Sequence, residues 1–316
     1  MRKTMMFEGA NKKEMSGVVW TPDEKTVGVV QIVHGMTEHM ERYADLAEVL
    51  TLNGFVVAGF DLRGHGVHST SDELAVFELG DWSNSLTDIY SFANQLHKKY
   101  PGLPHFILGF SLGSFLVRDY LQHYHDVDGA ILIGTGYQPG IVLKALSAVI
   151  GNEIKKVGYE GTTPLVKKLS FETYNKSVGS NCTQADWLCA DAKELDKYLN
   201  DPLCKDGISA GLFKQLINGM ETVGTANIYK WYKKDTPVLL LSGFSDPVGN
   251  NGKGVKRVFD QMNFAGMQHV AMELFPGRHD LLHEEYSGSA EKTRQKIVSW
   301  LLKELYHYNN PTAPRK

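Results

Sequence analysis

One serine in this chain stands where a nucleophile would stand. Gly109-Phe110-Ser111-Leu112-Gly113 has the spacing G-x-S-x-G, a pattern that sets a serine on a sharp turn between a strand and a helix with its hydroxyl exposed. The flanks suit that geometry: residues 105–110 are a short apolar run, and residues 112–124 carry Phe115, Leu116 and Tyr120 at helical spacing. The chain must reverse within a residue or two, which strains Ser111, and glycines at 109 and 113 remove side chains that would collide there. A serine hydroxyl is inert in neutral water until a base accepts its proton. The chemistry on offer is acyl transfer, with a histidine as base and a carboxylate to hold the histidine.

Chain order narrows the partners. For a nucleophile on such a turn the order is serine, acid, histidine. A predicted strand at 238–241 runs into Ser242-Gly243-Phe244-Ser245-Asp246-Pro247, so Asp246 leaves a late strand, whereas residues 135–145, the other place for an acid, contain no carboxylate. Asp246 is taken as the orienting acid, with an Asx-turn before Pro247 as the alternative role. Four histidines follow: His269, His279, His283 and His307. His269 opens a predicted strand and lies at the wrong edge, and His307 is near the tail. His279 follows strand 270–275 through Pro276-Gly277-Arg278, at the edge where Ser111 sits, with His283 one helical turn on as the alternative. Asp280 is expected to cap the next segment. The developing oxyanion needs backbone N–H donors: Leu112, directly after the nucleophile, and Met36, in His34-Gly35-Met36 after the run at 27–33.

Those residues require a scaffold that brings them to one rim. Short apolar runs at 27–33, 55–60, 105–110 and 129–133 alternate with helical spacing at 42–52, 86–100 and 112–124, which predicts an α/β fold with a mostly parallel sheet and helices on both faces. A short run at 18–20 suggests an antiparallel edge. From 136 to 231 the alternation breaks into helical segments separated by Pro164, Asn181 and Asn200-Asp201-Pro202; it resumes at Pro237, with a last helix at 290–306. The expected organisation is a core of residues 1–135 and 232–316 with a helical cap inserted at 136–231, over the carboxyl edge where open α/β sheets place ligands.

Composition sets the limits. The chain has 316 residues, 42% hydrophobic and 22% charged, and a net charge of −3 from 33 basic and 36 acidic residues. That balance lacks the basic stripe nucleic acid demands. Three cysteines, Cys182, Cys189 and Cys204, form no C-x-x-C pair, which fits a reducing compartment and no structural zinc, and they are expected to be small buried apolar residues. No apolar run follows Arg2-Lys3, and the longest oily stretch, 141–150, is interrupted by Lys144. The expectation is a cytoplasmic protein.

His34-Gly35-Met36-Thr37-Glu38-His39 with Arg42-Tyr43, Asp61-Leu62-Arg63-Gly64-His65-Gly66, the serine pentapeptide, Asp246-Pro247 and Gly277-Arg278-His279-Asp280 occur in this order. By these strings the chain resembles an α/β-hydrolase of the monoacylglycerol lipase and lysophospholipase-like family. The resemblance implies a carboxylic ester hydrolase with no metal and no organic cofactor, acting on a small-molecule ester. It implies Ser111, Asp246 and His279 as triad, with Met36 and Leu112 as oxyanion donors. Glu38 and Arg42 match a pair near the glycerol end of the substrate in monoacylglycerol lipases; here they either contact the alcohol portion or pair with each other to hold the loop. Asp61 and His65 are read as loop structure.

The inserted block carries no substrate-defining signature. Its apolar 141–150 helix either lines an acyl pocket and touches lipid or a second subunit, or packs as core, and Trp187-Leu188 and Trp231-Tyr232 are read as core. The alternatives from other classes are an aminopeptidase, which would need cap carboxylates such as Glu153, Glu160, Glu172, Asp186 or Asp191 for the substrate ammonium, and a non-catalytic receptor on the same fold.

Overall fold

The protein is described by a computed structural model covering residues 1–179, 182–204 and 207–315; Asn181, expected to separate two helical segments, lies outside the described residues. Five apolar runs form strands buried along their whole length: β3 (Gly28–Val33), β4 (Phe55–Phe60), β5 (His105–Phe110), β6 (Gly129–Ile133) and β7 (Val238–Gly243). With the half-buried edge strand β8 (Val270–Phe275) they pair in parallel. A hairpin of β1 (Arg2–Glu8) and β2 (Glu14–Trp20) adds to β4 antiparallel, giving eight strands in the order β1-β2-β4-β3-β5-β6-β7-β8. This is the α/β architecture the sequence predicts, with the antiparallel edge longer than the run at 18–20 suggests.

Strands covered on both faces are apolar at every position, and their side-chain period of two sorts them into two cores. Val29, Val33, Ile107, Leu132 and Leu240 face one side. There they meet α2 (Asp81–Lys99), α3 (Leu112–His123) and α9 (Lys253–Phe264) through Ile89, Phe92, Phe115, Leu116 and Val258. Val30, Ile32, Leu108, Ile131 and Leu241 face the other side and pack on α1 (Ala44–Leu52) and α10 (Ser289–Asn309) through Leu46, Leu50, Ile297 and Leu301. Helices on both faces leave one rim of the sheet, at the carboxyl ends of its parallel strands, free to hold a site.

Between β6 and β7 the described residues contain α4 (Gly140–Val157), α5 (Pro164–Lys167), α6 (Thr173–Ser177), α7 (Ala192–Asn200) and α8 (Ala210–Gly224), and no strand. Asp191 caps α7 by accepting the N–H groups of Lys193 and Glu194, and Ser209 caps α8 through Leu212. The segment leading into α8 is anchored to the core by the Ser209 N–H on the Ala75 carbonyl, and α8 itself by the Trp82 N–H on Gln215. Two expectations fail here. Trp231 is 66% exposed rather than core, and Cys182 is exposed, while Cys189 and Cys204 are buried; both exposed side chains lie on turns, which pack on one side only. In α4, Leu143 and Ile150 are buried whereas Ile141, Val142 and Val149 face outward. Among the described residues no helix is long and apolar enough to cross a membrane.

Candidate active site

Ser111 links β5 to α3 at φ 49°, ψ −117°, a strained region for a residue with a side chain. The strain is held by its surroundings: the Ser111 N–H donates to the Ile133 carbonyl at 2.9 Å, and the Ser111 carbonyl accepts the Ser114 N–H at 2.8 Å and the Ser114 hydroxyl at 2.6 Å. The turn is so tight that a Cβ on Gly109 would lie 2.5 Å from the Gly113 carbonyl oxygen, and one on Gly113 only 2.0 Å from that of Val33. Both glycines are therefore steric requirements of the turn.

His279 arrives from the loop after β8 and is fully buried. Its Nε2 lies 2.8 Å from Ser111 Oγ and its Nδ1 2.9 Å from Asp246 Oδ1. The carboxylate accepts the Nδ1 proton, which leaves the Nε2 lone pair facing the serine hydroxyl. Asp246 is itself fixed, its Oδ1 accepting the Val248 N–H at 2.8 Å and its Oδ2 the Ser242 hydroxyl at 3.0 Å. The Asx-turn and the contact with the imidazole thus coexist. Among the described residues neither the Met36 nor the Leu112 N–H is donated to a backbone carbonyl, so both remain available to an oxyanion. A cavity of about 20 Å³ touches Ser111, His279, Met36 and Trp187, room for about one water.

A four-membered charge group underlies the site. Arg42 reaches Glu38 Oε2 at 3.1 Å and Asp280 Oδ2 at 2.8 Å. Glu38 Oε1 accepts the Gly35 N–H at 2.5 Å and the Tyr43 hydroxyl at 2.7 Å, which fixes the loop carrying Met36. Asp280 does not cap the segment after it; its carboxylate is taken by Arg42 and by His283 Nδ1 at 2.8 Å. His283 Nε2 lies 3.1 Å from the Arg42 carbonyl, so each ring nitrogen faces an acceptor, which favours the protonated ring, while the Arg42 guanidinium 3.3 Å from Nδ1 opposes it. Burial alone would lower His283 and raise Asp280, but their mutual attraction outweighs it: His283 titrates above its ordinary 6.5, and Asp280, with Arg42 adding to the pull, below its ordinary 3.8. Glu38 and Arg42, predicted from sequence as a substrate contact or a loop pair, are joined to each other here. His283, the alternative base, is turned to Asp280 and Arg42.

His34 and His65 serve the structure of the rim. Burial lowers His34, whose Nε2 accepts the Leu62 N–H at 2.8 Å, and pushes His65 down to about 3 with the help of its neighbour His34. Asp61 accepts the N–H groups of Met40 and Val67, as loop structure requires. Among the described residues one set of metal-ligating side chains lies together, His39, Asp201 and Cys204, with atoms within 4.8 Å. His39 Nε2 is already bonded to Asp201 at 2.8 Å and burial pushes the Cys204 thiol up, so the set acts as a polar bridge between the Met36 loop and the segment after α7.

Sequence reasoning missed what the inserted segment brings. Tyr198 of α7 bonds Thr37 at 2.7 Å and lies under the Arg42 guanidinium, 5.1 Å from its ring centroid. Trp187, expected as core, is buried against His279 with ring centroids 5.0 Å apart. Neither has a sequence signal, because the segments around them lack a motif and contact the rim only through the tertiary fold.

The family described as "Serine aminopeptidase, S33" matches residues 24–286. The chain is 27% identical over 288 residues to the monoglyceride lipase of Homo sapiens, covering 89% of this chain and 84% of that protein. It is 25% identical over 316 residues to the monoacylglycerol lipase of Mycolicibacterium smegmatis, covering 96% and 98%. Among solved structures, a thermostable carboxyl esterase from Bacillus coagulans in complex with glycerol superposes with a TM-score of 0.87 at 24% identity, over 96% of this chain and 99% of that one.

Proposed function

The chain belongs to the α/β-hydrolase family of the serine aminopeptidase type and is a carboxylic ester hydrolase, and on that footing we propose that it cleaves monoacylglycerols, lysophospholipids or similar small lipid-like esters with Ser111 as nucleophile, His279 as base and Asp246 as orienting acid. The observation that carries the reading is the row Ser111 Oγ, His279 Nε2 at 2.8 Å and Nδ1 to Asp246 at 2.9 Å. In the first half-reaction Ser111 Oγ bonds to the ester carbonyl carbon while its proton passes to His279 Nε2. The oxyanion is met by the Met36 and Leu112 N–H groups, each such donor being worth roughly 2.7–4 kcal/mol. As the tetrahedral adduct collapses, the C–O bond to the alcohol breaks and His279 returns the proton to the leaving oxygen. A water, activated by the same imidazole, then hydrolyses the acyl-serine and frees the acid.

Charge near the rim favours a neutral substrate. The Glu38 and Asp280 carboxylates are already taken, Glu38 by Arg42 and Asp280 by Arg42 and His283, so neither is free to hold an ammonium. Three of the five cap carboxylates an aminopeptidase would draw on are occupied, Glu153 by Lys156, Asp186 by the Cys182 and Thr183 N–H groups and Asp191 as the cap of α7, whereas Glu160 and Glu172 are exposed. The same reading makes residues 136–231 a lid whose outward Ile141, Val142 and Val149 rest against lipid.

The test compares hydrolysis of monoacylglycerols and p-nitrophenyl esters of graded chain length with that of proline β-naphthylamide. Ester turnover that follows chain length and falls by roughly 10⁴-fold or more in Ser111→Ala supports the proposal. Faster amide than ester cleavage, or turnover surviving Ser111→Ala, overturns it.

A further inference from the structure

We propose that Trp187, supplied by the segment inserted between β6 and β7, is a positioning residue for the base: it flanks the His279 imidazole together with Phe110 and stabilises the imidazolium formed as Ser111 loses its proton. The inference rests on the roles just proposed for Ser111 and His279. Both rings lie with centroids 5.0 Å from that of His279, Trp187 at 33° and Phe110 at 38° to its plane. The electron-rich faces of aromatic rings attract a cation, indole most of all, and the attraction strengthens when water is excluded. Bulk solvent is kept away here: His279 and Asp246 are fully buried and Trp187 nearly so. A neutral imidazole gains little from such neighbours, an imidazolium much more, so the stabilisation is concentrated where the transition state needs it.

The backbone shows that Trp187 is built into the base loop. The His279 N–H donates to the Trp187 carbonyl at 3.4 Å and the Asp280 N–H to that of Leu188 at 2.7 Å. Arg278 donates to the carbonyls of Asp186 at 2.5 Å and Cys189 at 3.2 Å, and the Ala190 N–H to Glu284 at 3.0 Å. From behind, Trp187 is backed by Tyr174, ring centroids 5.2 Å apart, and its backbone N–H donates to Asn175 Oδ1 at 2.9 Å. Residues 186–190 therefore travel with the base, whatever the rest of the insertion does. The titratable groups around the imidazole are Asp246 from the turn after β7, Ser111 from the start of α3, Asp280 of its own loop with Arg42 and His283 behind it, and Tyr174 of α6, which burial pushes up to about 12.

The experiment measures the rate at which a fluorophosphonate labels Ser111, and kcat and KM on a p-nitrophenyl ester across neutral pH, for wild type, Trp187→Leu and Trp187→Phe. Leucine keeps the site apolar without a π face; phenylalanine restores a ring. Trp187→Leu is expected to lose roughly tenfold in kcat and in labelling rate, with KM held within about twofold and the acidic limb moved to lower pH, while Trp187→Phe recovers most of the loss. Wild-type labelling in Trp187→Leu, a change confined to KM, or a Phe variant no better than Leu would overturn the proposal.

Should Trp187→Leu fail to fold, fluorinated tryptophans, which weaken the π face at nearly constant shape, replace it. A graded fall in kcat that vanishes in the Trp187→Phe background supports the proposal, and its absence refutes it. Failure of wild-type Ser111 to label would instead strike the proposed nucleophile, so the two ideas fail separately.

Discussion

Arg42 is the residue on which two loops depend. Its guanidinium is shared between Glu38, which holds the Met36 loop, and Asp280, next to His279, and all three side chains are nearly excluded from solvent. Replacing it with methionine strips the buried Glu38 and Asp280 of their shared cation, a loss of about 3–5 kcal/mol; Arg42→Met should show it as a lowered Tm, and an unchanged melting curve would mean that the pairs contribute nothing. The fourth member gives the group a pH signature. His283 titrates above 6.5 in the folded chain, so its stabilisation is complete below 6.5 and is lost as pH rises through the folded value. Asp280 behaves in the opposite sense, its contribution present above 3.8 and lost as acid titrates it. Wild-type Tm should therefore fall on the alkaline side of 6.5 more steeply than that of His283→Gln, and parallel slopes would remove His283 from the account. Ser111, Asp246 and His279 are legible in the sequence because motif and chain order both constrain them. Asp280 was misread because a carboxylate after a loop histidine resembles a cap, and only the folded chain shows Arg42 reaching across from residue 42 to take it.

At the scale of elements, the turn between β5 and α3 concentrates the packing demands of the fold. Its two glycines let α3 start against the end of β3, close enough that the Val33 carbonyl occupies the place of a Gly113 Cβ. An alanine there must push β3, and with it the Met36 loop, away from Ser111; over-packing of a buried contact of this kind costs about 1–3 kcal/mol, occasionally more. Gly113→Ala is expected to lower Tm and to abolish fluorophosphonate labelling of Ser111, and a variant labelled at the wild-type rate would show that the turn tolerates the shift. The buried strands were readable since a strand covered on both faces is apolar throughout. β1 was not. Its sequence, Arg2 to Glu8, exposes most of its side chains and commits only Phe7 to the core, against Phe60 and Phe92, so it carries almost no pattern. Residues 186–190 were opaque for another reason: they present mainly their backbone groups to the loop at 278–284, which bonds them through its own N–H groups, Arg278 and Glu284, and residue types at 186–190 do not report that.

Across the whole molecule, the insertion and the core are joined through a cation with neutral partners. Arg118, on the helix α3 that follows Ser111, is fully buried. One guanidinium nitrogen donates to the Gly136 carbonyl at 2.9 Å, where the insertion leaves β6, and the other to the Val223 carbonyl at 2.6 Å and the Tyr229 hydroxyl at 3.1 Å, where it returns. Tyr232 closes the arrangement by donating its hydroxyl to the Arg118 carbonyl at 2.5 Å. Both roots of the segment at 136–231 are thus tied to one side chain, and that side chain is part of the element that presents Ser111. A leucine at 118 fills similar space but strips two buried carbonyls of their donors, at about 1–3 kcal/mol each. The loss falls at the roots, so the insertion should loosen before the core does. Limited proteolysis of Arg118→Leu is expected to cut within 136–231 faster than in wild type at temperatures where the β-sheet core stays protected. If cleavage were equally distributed over core and insertion, the two would be one cooperative unit, and a lid hinged at these roots would have to be abandoned.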